Sequence, residues 1–268
     1  MRVYIVVTLI FLMLGCASRP NVTFAPGDQP TFVALPSSSY MMGDQTGSGD
    51  SDERPAHQVA VKKFSLSVYE ITQQQYAYFT QVTQARLPAQ NNSANGQHPV
   101  VNISLKEAKG YAKWLSSATG NIYRLPTEEE WEYAARSGVL SLYTNGNQET
   151  AVCQIANIAD DTASQANVGW RNVTHCRDGA VYTSVVGAYR PNNFGLYDMI
   201  GNVWEWTSTC YNGKYDSKNI VRKIACEENV IRGGSFMLPA KSARLSNREA
   251  MIPTERNSQI GFRLVQVK

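Results

Sequence analysis

The stretch Gly195-Leu-Tyr-Asp-Met-Ile-Gly-Asn-Val-Trp-Glu-Trp206 decides how the rest of this sequence is interpreted. It places two carboxylates, Asp198 and Glu205, on either side of a tight turn and ends on a pair of tryptophans. Carboxylates in such a setting cap turns beside an aromatic cluster. This interpretation describes irregular structure rather than a long amphipathic helix.

The composition of the 268 residues excludes two broad classes of protein. With 43% hydrophobic residues and 25 Lys+Arg against 22 Asp+Glu, the chain can bury a core and is not intrinsically disordered. A net charge of +3 is too small and too evenly spread for a nucleic-acid binder. Only 18% of the residues are charged, while 14 are Tyr and 19 are Gly, which indicates much irregular backbone.

The amino terminus predicts export. Residues 3–14 are uncharged and almost entirely apolar, a run of 12 that is shorter than the ~20 residues of a transmembrane helix. The sequence Leu-Met-Leu-Gly-Cys at 12–16 resembles the bacterial lipobox, which predicts a signal peptide over 1–15 and lipidation of Cys16. A plain cleaved signal peptide is the alternative. Because Ala17 rather than Asp follows, the enteric sorting rule favours an outer-membrane lipoprotein facing the periplasm or the cell surface.

The residues after the predicted anchor carry prolines among polar residues, with no helical or alternating period. This composition predicts a tether over residues 16–35 and a folded domain over residues 36–268. Removal of the signal leaves a net charge too small to hold the chain on a membrane, so the lipid would provide the attachment.

Four cysteines remain after Cys16, and an even number in an exported chain predicts disulfides. Three pairings are possible, of which the pairing of nearest neighbours closes the shortest loops. No CxxC or regular Cys/His spacing is present, so a zinc site is not expected. The four residues are Cys153, Cys176, Cys210 and Cys226.

Three helices are predicted by a Thr or Ser followed three residues later by Gln or Glu, the capping-box pattern of a helix start. These starts are Thr72, Ser104 and Thr127, and Gly120 is the predicted end of the second helix. Alternating stretches at 59–64, 230–236 and 260–267 predict strands, the last of which is expected to pair with earlier strands. Strands at both ends with helices between them predict a mixed α+β domain.

Other sites are disfavoured by the sequence. The acidic residues 44–53 are predicted to form a solvated loop, because Pro55 falls where an EF-hand counted from Asp44 needs its last ligand. The glutamates at 128–130 belong to a capping box rather than to a catalytic acid pair. The sequence contains no GxSxG, HExxH or phosphate-binding glycine motif.

Four blocks in a fixed order resemble the formylglycine-generating enzyme family, the sulfatase-modifying-factor domain. They are residues 124–136 (RLPTEEEWEYAAR), the stretch 195–206, residues 232–236 (RGGSF) and residues 260–263 (IGFR). The resemblance covers roughly residues 38–266. It implies a single loop-rich domain with the C-type-lectin-like fold of that family.

The resemblance also implies two structural calcium ions, each held by side chains and backbone carbonyls. The ligands of the first are Asp198, the carbonyl of Gly201, the carbonyl of Val203 and Glu205. The ligands of the second are Asn157, the carbonyl of Ile158, Asp178 and the carbonyl of Ala180. These ions would stabilise loops and would not catalyse a reaction.

The oxidase members of the family use a cysteine pair that binds copper shortly after the Gly-Gly-Ser-aromatic block. The corresponding residues 233–248 contain no cysteine; Leu238 stands at the first thiol position and Ala243 near the second. Copper is therefore not expected here. The resemblance assigns Cys210 and Cys226 to a disulfide. Four arginines fit a scaffold network as readily as a site: Arg232, Arg244, Arg248 and Arg263.

Two functions of different class fit these observations. The first is a non-catalytic binding or assembly module, lipid-anchored, that presents a loop surface to another cell-envelope protein or to a glycan or peptide. The second is a periplasmic oxidoreductase, either one that uses other groups, as thiol-less relatives associated with siderophore maturation do, or a formylglycine-generating oxidase acting on proteins or peptides. The scaffold blocks without the thiol pair favour the first.

Overall fold

The structure, a computed structural model, describes residues 22–90, 96–215 and 226–267. The predicted signal peptide and the predicted lipidation site Cys16 lie outside these residues. Within the described ranges, no helix has both the length and the apolar character needed to cross a bilayer. The α-helices of these ranges are α1 (Gln73–Thr83), α2 (Leu105–Thr119), α3 (Glu128–Arg136) and α4 (Asp161–Gln165).

All three predicted helix starts are confirmed. At each of them the N-cap hydroxyl accepts a hydrogen bond from the amide three residues on, and the side chain of that residue accepts one from the N-cap amide. Helix α2 ends at Gly120, which takes the left-handed conformation with φ 80°. Val82 follows the buried Tyr76 and Phe79 at helical spacing in α1 but is 41% exposed.

The strands of the described chain form three sheets. The first has the order β1-β4-β10-β5 with antiparallel neighbours, and the second pairs β2 with β3. The third has the order β8-β7-β6-β9, in which β6 and β9 are parallel. The strands are β1 (Phe32–Leu35), β2 (Ser38–Met42), β3 (His57–Val61), β4 (Phe64–Ser67), β5 (Ile122–Arg124), β6 (Trp204–Cys210), β7 (Asn229–Arg232), β8 (Arg248–Met251), β9 (Ile260–Gly261) and β10 (Val265–Val267).

The predicted strands lie in strand regions, but their extents differ from the prediction. Residues 59–64 are divided between β3 and β4, and β7 ends at Arg232 because Gly233 turns the chain with φ 104°. Residues 260–267 are divided between β9 and β10, which belong to different sheets. The expected pairing of the C-terminal strand with earlier strands is confirmed, since β10 lies between β4 and β5.

Two clusters of buried apolar side chains form the core. The first lies around Trp131 of α3 and includes Leu196, and the second lies between α1, α2 and the third sheet and includes Trp206. The stretch 195–206 therefore runs from one cluster to the other. The predicted single, loop-rich α+β domain is confirmed.

The segment 22–35 differs from the predicted tether. The hydroxyl of Tyr78 donates a 2.6 Å hydrogen bond to the carbonyl of Thr23, and the Phe24 ring packs 5.9 Å from the ring of Trp114. Residues 32–35 form β1 and pair with β4. The described part of this segment therefore belongs to the domain, because aromatic packing and strand pairing hold it in spite of its prolines.

Two disulfides join nearest neighbours in sequence, Cys153 with Cys176 and Cys210 with Cys226. The Cα atoms of the two pairs are 6.0 Å and 5.2 Å apart. These bridges close the shortest of the possible loops. Structural disulfides indicate an extracytoplasmic protein.

The acidic loop is solvated only in its middle. Asp44 is 6% exposed and accepts hydrogen bonds from the amides of Thr46, Gly47 and Gly49. Glu53 is fully buried and forms an ion pair with Arg244. The prediction of a fully solvated loop is thus wrong at both ends, because a distant arginine neutralises Glu53 and the loop's own amides satisfy Asp44.

Candidate functional site

The turn at 198–202 sets the geometry of the candidate site. Asp198, Gly201 and Asn202 take left-handed conformations with φ of 53°, 76° and 53°. A side chain at Gly201 would place its Cβ 2.3 Å from the carbonyl oxygen of Asn157, so the turn requires glycine there. This close approach places Gly201 of the first predicted ligand set against Asn157 of the second.

Glu205 lies on β6 and is fully buried. One of its oxygens accepts a 2.7 Å hydrogen bond from the indole of Trp131, and both accept from Nε of Arg263 at 2.7 and 2.9 Å. Arg263 also donates to the carbonyls of Ser67 and Tyr197. The Glu205 carboxylate is therefore held in one position by an indole and a guanidinium.

Asp198 is also buried, and one of its oxygens lacks a hydrogen-bond partner in the described chain. Its Oδ2 accepts a 2.6 Å hydrogen bond from the amide of Gly187, while Oδ1 is the unpartnered atom. Glu70 has the same arrangement: Oε2 accepts from Nδ2 of Asn202 at 2.8 Å, and Oε1 is unpartnered among the described residues. Two buried carboxylate oxygens are thus left without a donor.

The buried carboxylates of Asp198, Glu70 and Glu205 form a cluster in which two of the pKa values are raised. Burial raises the pKa of Asp198 to about 6. Burial first, and then the charges of Asp198 and Glu205, raises the pKa of Glu70 well above its usual range. Within the described chain neither Asp198 nor Glu70 forms an ion pair, and Arg263 alone opposes three carboxylates. Hard oxygen ligands with surplus negative charge fit a cation such as Ca²⁺.

Sequence reasoning placed Asp198 and Glu205 at this site but missed Glu70. Glu70 precedes α1 and lies 132 residues before Asn202, to which it is hydrogen bonded. No pattern in the neighbouring sequence assigned its carboxylate to the site.

The second predicted ligand set is also brought together. Oδ2 of Asp178 accepts a 2.7 Å hydrogen bond from the amide of Ile158, and Oδ1 accepts one of 2.7 Å from the amide of Ala180. Oδ1 of Asn157 is buried and has no partner in the described chain. Burial raises the pKa of Asp178 to about 6. This set fits a cation less completely than the first, because both Asp178 oxygens already accept amide hydrogen bonds.

Asp160 lies beside the second set, although it was not predicted. Ligand atoms of Cys153, Asp160 and Asp178 lie within 4.8 Å of one another, but the sulfur of Cys153 is bonded to Cys176. Asp160 caps α4 by accepting from the amides of Thr162 and Ala163. Its carboxylate therefore serves the helix start, and the disulfide excludes a thiolate ligand at this position.

Asn202 connects the two ligand sets. Its Nδ2 donates to Glu70, and its Oδ1 accepts from Nδ2 of Asn157 at 3.2 Å and from the amide of Ser184 at 3.0 Å. Its own amide donates to the carbonyl of Asn157 at 2.7 Å. A single side chain is thus hydrogen bonded both to Glu70, beside the first set, and to Asn157 of the second set.

The arginines near the Gly-Gly-Ser block form a scaffold network. Arg232 is fully buried, pairs with Glu132 and donates to three carbonyls at 245–247. Arg248 pairs with Glu128 at 2.7 Å, and its guanidinium lies 4.3 Å from the ring centroid of Tyr215. Arg244 pairs with Glu53 and with Asp50. Each of the three guanidinium groups is therefore already neutralised.

The block 233–248 carries an aromatic group at its surface. Phe236 is buried, and its ring lies 5.6 Å from Trp170 and 6.3 Å from Tyr182. Tyr182 is 49% exposed, and its carbonyl accepts a 2.9 Å hydrogen bond from Nδ2 of Asn157. The second ligand set thus positions an exposed aromatic residue that sequence reasoning did not single out.

Comparison with known proteins extends these observations. The profile of the sulfatase-modifying factor enzyme 1-like domain matches residues 20–268. The "Inactive C-alpha-formylglycine-generating enzyme 2" of Mus musculus is 27% identical, over 94% of this chain and 91% of that protein. The "Formylglycine-generating enzyme" of Streptomyces coelicolor is 26% identical, over 93% of each chain. Relatives named as active and as inactive enzymes therefore match along their length.

Solved structures agree with the sequence comparison. The structure of PvdO from Pseudomonas aeruginosa has a TM-score of 0.78 and 29% identity, and the match covers 94% of this chain and 100% of that one. Treponema denticola variable protein 1 has a TM-score of 0.72 at 21% identity, covering 88% of this chain and 94% of that one. The second likeness concerns the fold alone.

Proposed function

The chain belongs to the sulfatase-modifying factor enzyme 1-like family, and from that premise we propose that it is a non-catalytic binding or assembly module, anchored in the bacterial cell envelope by lipid on Cys16. In this proposal, calcium holds the loops of the site, and the loops present an aromatic surface to another envelope protein, or to a glycan or peptide. The observation that carries the proposal is the absence of cysteine from residues 233–248.

We infer that Leu238 and Ala243 occupy the positions of the copper-binding thiols of the oxidases. Ala243 packs in the first core cluster, whereas Leu238 packs against the second. Neither side chain can form a thiolate that would bind copper. This arrangement supports a module that works without copper.

The arginine network supports the same proposal. A guanidinium that served an anionic substrate would need free donors. The terminal nitrogens of Arg232, Arg244 and Arg248 are engaged by carboxylates and carbonyls, and the unpartnered Nε atoms of Arg232 and Arg244 are buried. Their role is then to join α3 and the acidic loop to the Gly-Gly-Ser block. The block is thereby kept in shape without any catalytic group.

The binding surface in this proposal is the aromatic group of Trp170, Tyr182 and Phe236. The Trp170 and Tyr182 rings meet edge to face at 6.2 Å over the buried Phe236. An exposed Tyr with a polar tip and a rigid ring offers contact area at a small entropic cost and stacks on sugar or peptide groups. The rings are supported from below, so they are already oriented before a ligand arrives.

Calcium has a defined role in the proposal, because members of this family bind calcium. Asp198 and Glu205, with the carbonyls of Gly201 and Val203, would hold one ion and offset the surplus negative charge of the cluster. Asn157 and Asp178, with the carbonyls of Ile158 and Ala180, would hold the other and fix the segment of Tyr182. When bound, the ion supplies positive charge and oxygen coordination to loops that lack regular hydrogen bonding.

Chelation tests the calcium part. EGTA is expected to lower the thermal midpoint of the wild-type protein, since an ion at 100 times its Kd stabilises the folded state by about 2.7 kcal/mol. The variant Asp198→Asn keeps the shape of the side chain but loses its charge, so EGTA should shift its midpoint much less. Glu255→Gln, at an exposed acid away from the site, is the matched control. A wild-type midpoint that EGTA leaves unchanged would contradict a calcium role.

The functional part is tested by activity and by binding. Incubation with copper and a peptide bearing the Cys-x-Pro-x-Arg sulfatase motif is expected to yield no aldehyde by mass spectrometry, and aldehyde formation would overturn the proposal. In pull-downs from envelope membranes, a partner kept by the wild type and by Leu140→Ala, but lost by Tyr182→Ala, would support it. Leu140 is 67% exposed, which makes it a suitable control.

One observation favours a second candidate, a periplasmic oxidoreductase of the siderophore-maturation kind. The partly buried Asp178 carboxyl has its pKa raised by desolvation to about 6, in the range that suits a general base. If that candidate is right, the wild type should consume oxygen in the presence of a peptide substrate, and Asp178→Asn should not. Absence of uptake in both proteins would leave the binding module as the function.

A further inference from the structure

The described chain begins against one flank of helices α1 and α2. The Tyr78 hydroxyl of α1 holds the Thr23 carbonyl at 2.6 Å, and the Phe24 ring lies 5.4 Å from Tyr78 and 5.9 Å from Trp114 of α2. Asp28 is buried and accepts a 3.2 Å hydrogen bond from Gln74 of α1. The first described residues of the chain are therefore held on this pair of helices.

The distance from these residues to the predicted anchor is short. Only residues 17–21 separate Cys16 from the first described residue, Val22. A fully extended chain spans at most ~3.6 Å per residue, so the anchor lies within about 20 Å of Val22. A lipid on Cys16 therefore brings a bilayer surface close to α1 and α2 rather than to an arbitrary face of the domain.

The charges on these helices suit an anionic surface. Helix α1 contains no charged residue. Helix α2 exposes Lys106, Lys109 and Lys113 at spacings of three and four, so they form one stripe, and none of them has an ion pair within the described chain. Glu107, the acid of α2, is held by Arg256 at 2.9 and 3.1 Å. The exposed face of α2 thus carries unopposed positive charge.

The residues around the stripe suit a lipid interface. Trp114 of α2 is partly buried, and Val82 of α1 and Leu87, which follows α1, are 41% and 46% exposed. Tyr and Trp, with an apolar ring and a polar atom, are enriched where membranes meet water. Lysines at such a surface face lipid phosphates, and each adds roughly fivefold to membrane partitioning.

We propose that the outer face of α1 and α2, defined by Tyr78, Lys106, Lys109, Lys113 and Trp114, rests on the anionic lipid surface of the membrane that holds Cys16. The proposal rests on the lipid anchor of the proposed function and adds the orientation of the domain. The occupant is lipid rather than another protein, because the chain's own anchor delivers this face to the bilayer. The lipid chain then supplies attachment, and the lysines supply orientation.

The orientation is tested on the full lipidated protein by lysine labelling with an N-hydroxysuccinimide ester. In vesicles of phosphatidylethanolamine and phosphatidylglycerol, Lys106, Lys109 and Lys113 are expected to react several-fold more slowly than in detergent. Lys62, Lys63 and Lys241 are exposed elsewhere and should react equally in both. Equal reactivity of the two sets would overturn the proposal, as would protection in native envelopes without protection in protein-free vesicles.

A second measurement does not depend on lipidation. The variant Cys16→Ser is expected to sediment with phosphatidylglycerol vesicles in a salt-sensitive manner, and Lys106→Gln/Lys109→Gln/Lys113→Gln should weaken this about a hundredfold. The matched control, Lys62→Gln/Lys63→Gln/Lys241→Gln, loses the same charge and should bind as before. Absence of binding, or equal losses in both variants, would overturn the proposed face. A Cys16 peptide without acyl mass would instead count against the anchor of the proposed function.

Discussion

Arg263 connects the candidate site to two parts of the fold. Its Nε pairs with Glu205, and its remaining donors reach the carbonyls of Ser67 and Tyr197. Because the pair is fully buried, loss of the guanidinium would leave an uncompensated carboxylate in a cluster that already carries surplus negative charge.

We expect Arg263→Leu to lower the free energy of unfolding by about 3–5 kcal/mol, measured by urea denaturation in the presence of EGTA. Arg256→Leu is the matched control, since Arg256 also pairs with a glutamate, Glu107, but on the surface, where solvent screens the interaction. Its urea midpoint should stay close to that of the wild type. If the two variants lost the same free energy of unfolding, burial would not make the Arg263 pair more important for stability than the surface pair.

His98 gives the stability a pH dependence. The ring is 7% exposed, one ring nitrogen lies 3.2 Å from Oγ1 of Thr183, and burial lowers the pKa of the imidazole. The unfolded chain therefore binds a proton more readily than the folded one near the usual histidine pKa of about 6.5. The contribution of neutral His98 to stability is present above that pH and is lost as the pH falls through the lowered folded pKa.

We expect the urea midpoint of the wild type to fall more steeply between pH 7.5 and pH 5 than that of His98→Gln, which keeps a polar group beside Thr183 but does not titrate. Parallel pH profiles for the two proteins would contradict this assignment. Because Thr183 follows the exposed Tyr182, ligand binding at the aromatic group should weaken over the same pH range.

At the scale of the elements, the sequence predicts helices better than strands. The capping boxes at Thr72, Ser104 and Thr127 depend on residues three positions apart, so the information is local. The strands β9 and β10 have only two and three residues, and they pair with different sheets. Their ends depend on distant partners, which a local alternation of side chains does not reveal.

The residues of the candidate site, like the helices, are predicted where the information is local in the sequence. Asp198 and Glu205 are predicted because they lie in one short stretch. Glu70 and its link to Asn202 bridge 132 residues, and nothing near Glu70 in sequence indicates its role. Resemblance to a family predicts individual ligand residues. The net charge of the buried cluster, which makes the ligands fit a cation, is known only from the folded structure, where all the buried groups are placed.

The disulfide between Cys153 and Cys176 joins two elements around the second ligand set. The amide of Asp161, in α4, donates to the carbonyl of Cys176, and Asp178 follows two residues later. We expect Cys153→Ala/Cys176→Ala to lower the free energy of unfolding by about 2–4 kcal/mol in urea. It should also reduce the midpoint shift on adding calcium, because the loop that carries Asp178 is no longer held.

The matched control is Cys210→Ala/Cys226→Ala, which opens a loop with a sequence separation of 16 rather than 23 that contains none of the predicted ligands. It should lower stability and leave the calcium shift unchanged. If both double variants kept the full calcium shift, the Cys153 bridge would have no part in the second ligand set.

Over the whole molecule, one stretch joins the two core clusters. Residues 195–206 give Leu196 to the first cluster and Trp206 to the second, and the turn between them carries the candidate ligands. A cation bound at this turn would therefore stabilise the contact between two halves of the core and not merely a surface loop.

The amino-terminal boundary of the domain is the feature that the sequence predicted least well. Proline-rich polar composition indicated a tether over residues 16–35, but Thr23, Phe24 and Asp28 contact α1 and α2, and residues 32–35 form β1. The composition shows only that the segment has no helical or alternating period. A segment without such a period can still be held in place by a few specific contacts.

Truncation tests this boundary. A chain beginning at residue 22 is expected to unfold at the same urea concentration as the chain beginning at residue 16, because the contacts described here begin at Thr23. A chain beginning at residue 31 loses the Phe24 packing and the hydrogen bonds to Thr23 and Asp28, and should be less stable by about 1–2 kcal/mol, since the Phe24 ring is only partly buried. Phe24→Ala in the longer chain should reproduce most of this loss, since its ring packs against Tyr78 and Trp114. Equal midpoints for the chains beginning at 22 and at 31 would show that the contacts of residues 22–30 add nothing to the stability of the domain.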